Sequence, residues 1–288
     1  MKLSYYPGCS LEGTALDYDH SVREVCLTLD IELIDIPDWN CCGASSAHMT
    51  DHEVGMRLPI RNLLLARELG HNILVPCAAC FQRLKAADRA LRADPLRWDV
   101  QEYAPDYEII HITRFLAGED ILQTIHSAIT RSLDDLPLAC YYGCLSLRNP
   151  HITGAPNWEM PDTLERIVTA LGARPVDWSH RTECCSGSLT MARPDITEKL
   201  VGDIAVAARR AGAQALVTDC PMCQANVESR QVCKIEGEVC LPVFFATELI
   251  VAAISGHYPE SQQKTHLISP EILRGTLAEN ATVKEESL

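Results

Sequence analysis

Ile34-Asp35-Ile36-Pro37-Asp38-Trp39-Asn40-Cys41-Cys42-Gly43 carries an apolar–acidic alternation into a proline and then into two adjacent cysteines. Alternation of this kind is the period of a half-buried strand, and the proline ends it, so the strand delivers the cysteine pair at its carboxyl end. The pair recurs as Cys184-Cys185. Each pair has the same company: Cys9 upstream and Cys77-Ala78-Ala79-Cys80 downstream of the first, Cys144 upstream and Cys220-Pro221-Met222-Cys223 downstream of the second. From Cys42 to Cys77 and from Cys185 to Cys220 the step is the same 35 residues. Five thiols per half, twice over, mark an internal duplication.

Working outward, Lys2–Tyr6 reads as a strand stopped by Pro7-Gly8, and Leu16, Val22, Val25, Cys26 and Leu29 place a helix over Thr14–Leu29. A second helix is expected over Pro59–Leu69, with Pro59 in its first turn and Gly70 closing it. Asn72–Val75 is a short strand before Cys77, and a helix follows from Phe81. The second half repeats the order: strand Leu138–Tyr142, helix Thr163–Leu171, strand Arg174–Trp178, helix Ile196–Ala211, strand Ala215–Thr218, helix Met222–Arg230. Ile109–Leu116 lines up with Val243–Ile250, and the polar stretch from Ala117 to Leu136 reads as the connection. Strand–helix alternation predicts an α/β fold with a small parallel sheet and flanking helices in each half, the halves related by a pseudo-two-fold. The expected domains are 1–135 and 136–288, the latter including a polar tail from about 258. Ligands of such sheets sit beyond the strands' carboxyl ends, where all three cysteine groups of each half fall.

The 288 residues carry a net charge of −14 and a pI near 5.1, which excludes the basic face that nucleic acid demands. The apolar stretch Leu241–Ile254 is interrupted and too short to span a bilayer. Met1–Tyr6 lacks a charged leader, so the expectation is a cytoplasmic protein, where thiols stay reduced. Fourteen cysteines there point to metal or redox chemistry. Zinc closes its structural sites with four ligands and would leave two of the ten thiols redundant. Conventional iron–sulfur clusters also take four, so five imply a spare thiol or a cluster of unusual shape. Spacing alone leaves both metals open.

Pro7-Gly8-Cys9, Cys41-Cys42-Gly43 and Cys77-Ala78-Ala79-Cys80, with Tyr142-Gly143-Cys144, Cys184-Cys185-Ser186-Gly187 and Cys220-Pro221-Met222-Cys223, resemble the two cysteine-rich (CCG) domains of the B-type subunit of heterodisulfide reductase. The resemblance covers nearly the whole chain, including His266-Leu267-Ile268-Ser269-Pro270 in the tail; Ser186 departs from the usual glycine. It implies two noncubane 4Fe-4S clusters, held by Cys9, Cys41, Cys42, Cys77 and Cys80 and by Cys144, Cys184, Cys185, Cys220 and Cys223. It further implies a catalytic subunit that reduces, or oxidatively forms, a disulfide, each cluster handling one sulfur and one electron. The implied partners are a C-type subunit carrying cubane iron–sulfur clusters and an A-type subunit carrying flavin, and the thiol or disulfide substrate is free or protein-bound. The alternative is a non-catalytic electron-transfer or sulfur-binding subunit of a sulfur-oxidation or quinone-linked complex. Outside the ten, His48 is the candidate proton donor, Arg57, Arg61 and Lys85 are solvated or substrate-facing cations, and Cys26 and Cys140 belong to the core.

Overall fold

Leu3, Tyr5, Ile73, Leu74 and Val75 are almost wholly removed from solvent, whereas the neighbouring strand Glu32–Asp35 is half exposed. Strands covered on both faces are the mark of a parallel sheet between helix layers. The computed structural model describes residues 1–44, 47–231, 240–259 and 265–285. Within them β1 (Lys2–Tyr5), β2 (Glu32–Asp35), β3 (Ile73–Val75) and β4 (Ile109–His111) form one parallel sheet in the order β2-β1-β3-β4. A second parallel sheet of β5 (Pro137–Tyr141), β6 (Arg174–Pro175), β7 (Ala215–Thr218) and β8 (Val243–Phe245) has the equivalent order β6-β5-β7-β8. In both sheets the order reverses beside the first strand, the switch point at which such sheets open a crevice.

The helices are α1 (Leu16–Thr28), α2 (Ala47–Thr50), α3 (His52–Arg67), α4 (Ala78–Ala93), α5 (Ile112–Leu116), α6 (Glu119–Ala128), α7 (Pro150–Thr153), α8 (Thr163–Ala170), α9 (Pro194–Arg210), α10 (Pro221–Arg230), α11 (Ala246–Ser255) and α12 (Glu271–Glu285). Helix α5, which leaves the first sheet, packs on α8 of the second half, and α11, which leaves the second sheet, packs on α1 of the first. This reciprocal exchange is what a pseudo-two-fold requires. It also joins the halves: Leu3, Val22 and Leu84 belong to the same apolar cluster as Leu164, Phe244 and Leu249. The second half adds a separate buried cluster that includes Tyr141, Trp178, Val201, Ile204, Leu216 and Val227, so it is the larger, shared core that ties the halves together. Phe245 stacks on Tyr18 of α1 with ring centroids 3.8 Å apart, and Ser21 Oγ and Thr247 Oγ1 share a hydrogen bond of 2.7 Å.

Two expectations are corrected. The helix expected from Pro59 begins a turn and more earlier, at His52, because Asp51 caps it by accepting from the Glu53 and Val54 amides. Pro59 then sits inside the helix, where its missing N–H leaves the Gly55 carbonyl without its intrahelical donor. Arg83 Nη2 supplies one from α4 at 2.6 Å. The stretch from Ala117 to Leu136 contains α6, whose Ile125 is buried against α8 and α11. Ile121, Leu122 and Ile125 lie on one face, and Glu119 and Asp120 stand favourably at the helix's positive end.

The tail also packs. His266 Nδ1 meets Glu228 Oε1 at 2.7 Å and its Nε2 meets Glu248 Oε1 at 3.4 Å, while the Leu267 amide donates to Glu228. Asp17, Glu248 and His266 place ligand atoms within 4.8 Å of one another, but both ring nitrogens already face carboxylates, so the cluster is an ion-paired latch. Beyond it, Leu273 and Leu277 of α12 are buried and Arg131 donates to the Leu277 carbonyl. Among the described residues no helix is long and apolar enough to cross a membrane.

Candidate metal centres

Each cysteine group stands just past the carboxyl end of its strand: Cys9 after β1, Cys41-Cys42 after β2, Cys77 after β3, and their counterparts after β5, β6 and β7. All ten are free thiols. Cys9 and Cys41 lie 3.7 Å apart and Cys42 and Cys80 3.2 Å; in the second half Cys144–Cys184 is 3.7 Å and Cys185–Cys223 3.6 Å. Each set keeps three sulfurs buried (Cys42, Cys77 and Cys80; Cys185, Cys220 and Cys223) and turns two outward. The structure thus brings together every sulfur that the spacing singled out.

The backbone around them is built twice. Cys77 and Cys220 occupy the N-cap positions of α4 and α10, where the helix dipole favours a thiolate. The Gly43 amide points at Cys41 Sγ (3.4 Å) and the Ser186 amide at Cys184 Sγ (3.3 Å). Both residues are left-handed, with φ 75° and 56°, so Ser186 keeps the turn of the usual glycine. Its hydroxyl donates to the Cys185 carbonyl at 2.6 Å. Gly8 and Gly143 are left-handed too, and a Cβ at either would stand 2.8 Å from Cys80 or Cys223 sulfur. Tyr6 donates to the Asn40 carbonyl at 2.7 Å and Tyr141 to the Glu183 carbonyl at 2.8 Å, so each tyrosine props the loop one residue before its cysteine pair. Sequence reading quoted the two glycines within the cysteine motifs without giving them a role and missed Tyr6 and Tyr141, although each pair stands at the same distance before Cys9 and Cys144.

Crowding sets the protonation. The hydrogen bonds shared with Cys41 and Cys80 pull Cys42 down to about 4 despite its burial. The same bond to Cys42, then Cys77 and burial, pushes Cys80 well up. The hydrogen bond from Cys144 takes Cys184 down to about 6, and those to Cys185 and Cys220 push Cys223 well up. Neighbouring thiols cannot all ionise together unless cations are placed among them. A cationic cluster with several metal ions removes that penalty, and five sulfurs at these separations fit one.

The two sets meet at the interface between halves. Tyr18 Oη lies 3.1 Å from the carbonyl of Pro76 and 3.3 Å from that of Asp219, the residues preceding Cys77 and Cys220, and charge on Cys77 is felt by Cys220. Beneath them runs a buried polar chain, from His111 Nδ1 to Thr113 Oγ1 (2.9 Å) and on to Asp219 Oδ2 (3.1 Å). Burial holds His111 down to about 3 and lifts Asp219 to about 7.

A cavity of about 350 Å³ opens over the second set. All five of its cysteines line the cavity, facing Ala44, His48, Met49, Ala78 and Ala79 of the first half. His48 Nδ1 is 3.2 Å from the Gly43 carbonyl. Arg57 and Arg61 stand outside, paired with Glu53 and Asp99 and with Asp38, and Lys85 lines a different hollow beside α4. Cys26 and Cys140 are buried in the core as expected. Cys240 is disulfide-bonded, and Cys233 lies outside the described residues.

The family profile described as "Cysteine-rich domain" (CCG) matches residues 3–85 and 138–228. The chain is 28% identical over 265 residues to the 8-methylmenaquinol:fumarate reductase membrane anchor subunit of Wolinella succinogenes, covering 88% of this chain and 92% of that protein. It is 26% identical over 268 residues to the B-type subunit of the ferredoxin/F(420)H(2)-dependent CoB-CoM heterodisulfide reductase of Methanosarcina acetivorans, covering 88% and 89%. A solved structure of a hypothetical protein from Helicobacter pylori matches 93% of the chain with a TM-score of 0.71 at 11% identity. It shares the fold, and this chain spans 52% of its length.

Proposed function

Because the chain belongs to the CCG cysteine-rich domain family and carries the domain twice, we propose that it is the iron–sulfur catalytic subunit of a heterodisulfide-reductase-type complex. The domains run 1–135 and 136–288. The observation that supports this reading best is the pair of equivalent five-sulfur sets that meet across the Pro76–Tyr18–Asp219 contact. Cys9, Cys41, Cys42, Cys77 and Cys80 would hold one noncubane 4Fe-4S cluster, and Cys144, Cys184, Cys185, Cys220 and Cys223 the other. When bound, such clusters supply electrons singly, and two of them match the pair that a disulfide needs.

In the proposed reaction the sulfur–sulfur bond breaks, each sulfur takes one electron and one proton, and two thiols leave; the oxidative direction reverses this. The electrons come from a partner protein carrying cubane clusters, itself supplied by a flavin protein, in the cytoplasm. This chain's own residues shape the site. Gly8 and Gly143 let the buried sulfurs approach, Tyr6 and Tyr141 fix the loops, and the apolar wall of the cavity excludes water. With Nδ1–H donating to the Gly43 carbonyl, Nε2 is the nitrogen of His48 left to exchange a proton with a sulfur in the cavity.

The similarity to a protein named as a membrane anchor favours a second reading, in which the chain relays electrons or holds sulfur within a quinone-linked complex without performing the chemistry. Anaerobic purification followed by metal and sulfide analysis tests the shared premise. About eight irons and about eight sulfides per chain, the content of two four-iron clusters, are expected; stoichiometric zinc without iron overturns it. A paramagnetic signal that depends on added thiol under oxidising conditions supports catalysis over relay, and a thiol-insensitive spectrum supports relay.

A further inference from the structure

The two sulfur sets are alike in their ligands and unlike in the charge beside them. Three residues past Cys80 stands Arg83, and three residues past Cys223 stands Asn226. On α4 and α10 this step is about one helical turn, so each side chain lies on the face that carries the second cysteine of its CxxC. Asn226 is neutral and engaged at both ends: Nδ2 donates to the Cys185 carbonyl at 2.6 Å, and Oδ1 accepts from the Thr190 hydroxyl. Arg83 is a cation with a donor to spare. Its Nη2 is committed to the Gly55 carbonyl at 2.6 Å, but Nε is sealed from solvent and has no hydrogen-bond partner among the described residues. A buried N–H is rarely left without an acceptor. Cys42 is held low first by its hydrogen bonds with Cys41 and Cys80, and the Arg83 charge adds to them; burial lowers Arg83, and charge on Cys42 works against that.

The other cations near the sets are engaged or screened. Arg148 and Glu183 act on Cys184 with opposite sign, behind the hydrogen bond from Cys144, and both are exposed to water and salt. Arg230, farther along α10, pairs with Glu198, and Arg57 and Arg61 pair with surface carboxylates. Arg114 donates to the Thr153 and Ser146 carbonyls, and its charge acts on the buried Asp219. Reducing an iron–sulfur cluster adds a negative charge, and net charge and hydrogen bonds to the sulfurs set its potential. A half-buried cation close by stabilises the reduced form. We infer that Arg83 makes the two centres unequal: the cluster held by Cys9, Cys41, Cys42, Cys77 and Cys80 has the higher reduction potential and takes the first electron, and the cluster of the second set takes the second. Each step adds one electron to one cluster and moves no proton. Arg83 acts on the potential and not as a ligand. The inference rests on the iron–sulfur premise of the proposed function and holds whether the chain catalyses or relays.

The test is an anaerobic redox titration of the iron-loaded full chain with dithionite, read by visible absorption and paramagnetic resonance. Two one-electron steps are expected, assigned with Cys42→Ala and Cys185→Ala, each of which disables one centre. The higher step should belong to the first set. A higher step belonging to the second set, or two coincident steps, overturns the inference on the chain without any change at Arg83. Pro59→Ala gives the Gly55 carbonyl an intrahelical donor, so Arg83 is replaced in that background. Arg83→Gln is expected to lower the ratio of reduced to oxidised first cluster at fixed potential at least about tenfold, a downward shift of about 59 mV for one electron, with the second step unmoved. Arg83→Lys, which keeps the charge, is expected to retain most of the potential. A first step that stays in place in Arg83→Gln, that falls as far in Arg83→Lys, or that falls in parallel with the second overturns the role of Arg83. Zinc in place of iron, read by metal analysis before any titration, overturns the premise and the inference together.

Discussion

A methyl group at position 8 or 143 would stand 2.8 Å from a ligand sulfur on a backbone already left-handed, so both positions demand glycine for two independent reasons. Gly8→Ala is expected to cost about 1–3 kcal/mol of local strain. The substituent must push Cys80 away from Cys42, so iron content should fall by about half while the second set stays loaded. Gly143→Ala should show the mirror result through Cys223. Iron per chain, read alongside a denaturant melt, separates loss of one cluster from loss of the fold; simultaneous loss of both clusters by either variant contradicts equivalent, separately held sites. Residues of this kind were within reach of the sequence. Both glycines lie one position before Cys9 and Cys144, and both tyrosines three before, so the duplication that marks the sulfurs also marks their supports.

At the scale of elements, what the sequence shows and what it conceals divide by the reach of the interaction. The strands and the cysteine loops are legible because alternation, a terminating proline and a repeated spacing are local signals. Helix α3 is not, because Pro59 reads as a first-turn residue unless something outside the helix replaces its missing donor. Arg83 does so from α4, and no local rule foresees it. The fit of α11 to α1 is hidden for the same reason, since the contact spans the two halves. The α3 arrangement makes a sharp prediction. Arg83→Met leaves the Gly55 carbonyl without a donor and should destabilise the protein by about 1–3 kcal/mol. Pro59→Ala returns an amide to that carbonyl, so the double variant should recover most of the loss in a denaturant-midpoint cycle. Strict additivity of the two substitutions would show that the guanidinium does something other than replace the proline's N–H.

Over the whole molecule, the exchanged helices make each half incomplete. Residues 1–135 alone would expose the face of α1 that α11 covers, and residues 136–288 alone the face of α8 that α5 covers. Expressed separately, each half should lack a cooperative melt; a cooperative melt of either by itself would show that the shared core is dispensable. The latch at His266 closes this same assembly, since it ties the tail to Glu228 on the CxxC helix α10 and to Glu248 on α11. Burial opposes the imidazolium, but the hydrogen bonds to Glu228 and Glu248 win and push His266 up to about 10 from an ordinary value of 6.5. A folded-state value above the unfolded one means stability fully present below pH 6.5 and lost as pH rises toward 10. Burial lifts Glu248 as well, which acts in the same direction starting from lower pH. Removing one partner of a buried ion pair typically costs about 3–5 kcal/mol, so His266→Gln should be markedly less stable at pH 6. Its deficit against the unmodified chain should shrink steadily between pH 6.5 and 10, because only the unmodified chain has that proton to lose. Paired thermal melts across this range decide the matter, and a deficit that stays constant with pH would mean that His266 holds the tail by packing alone.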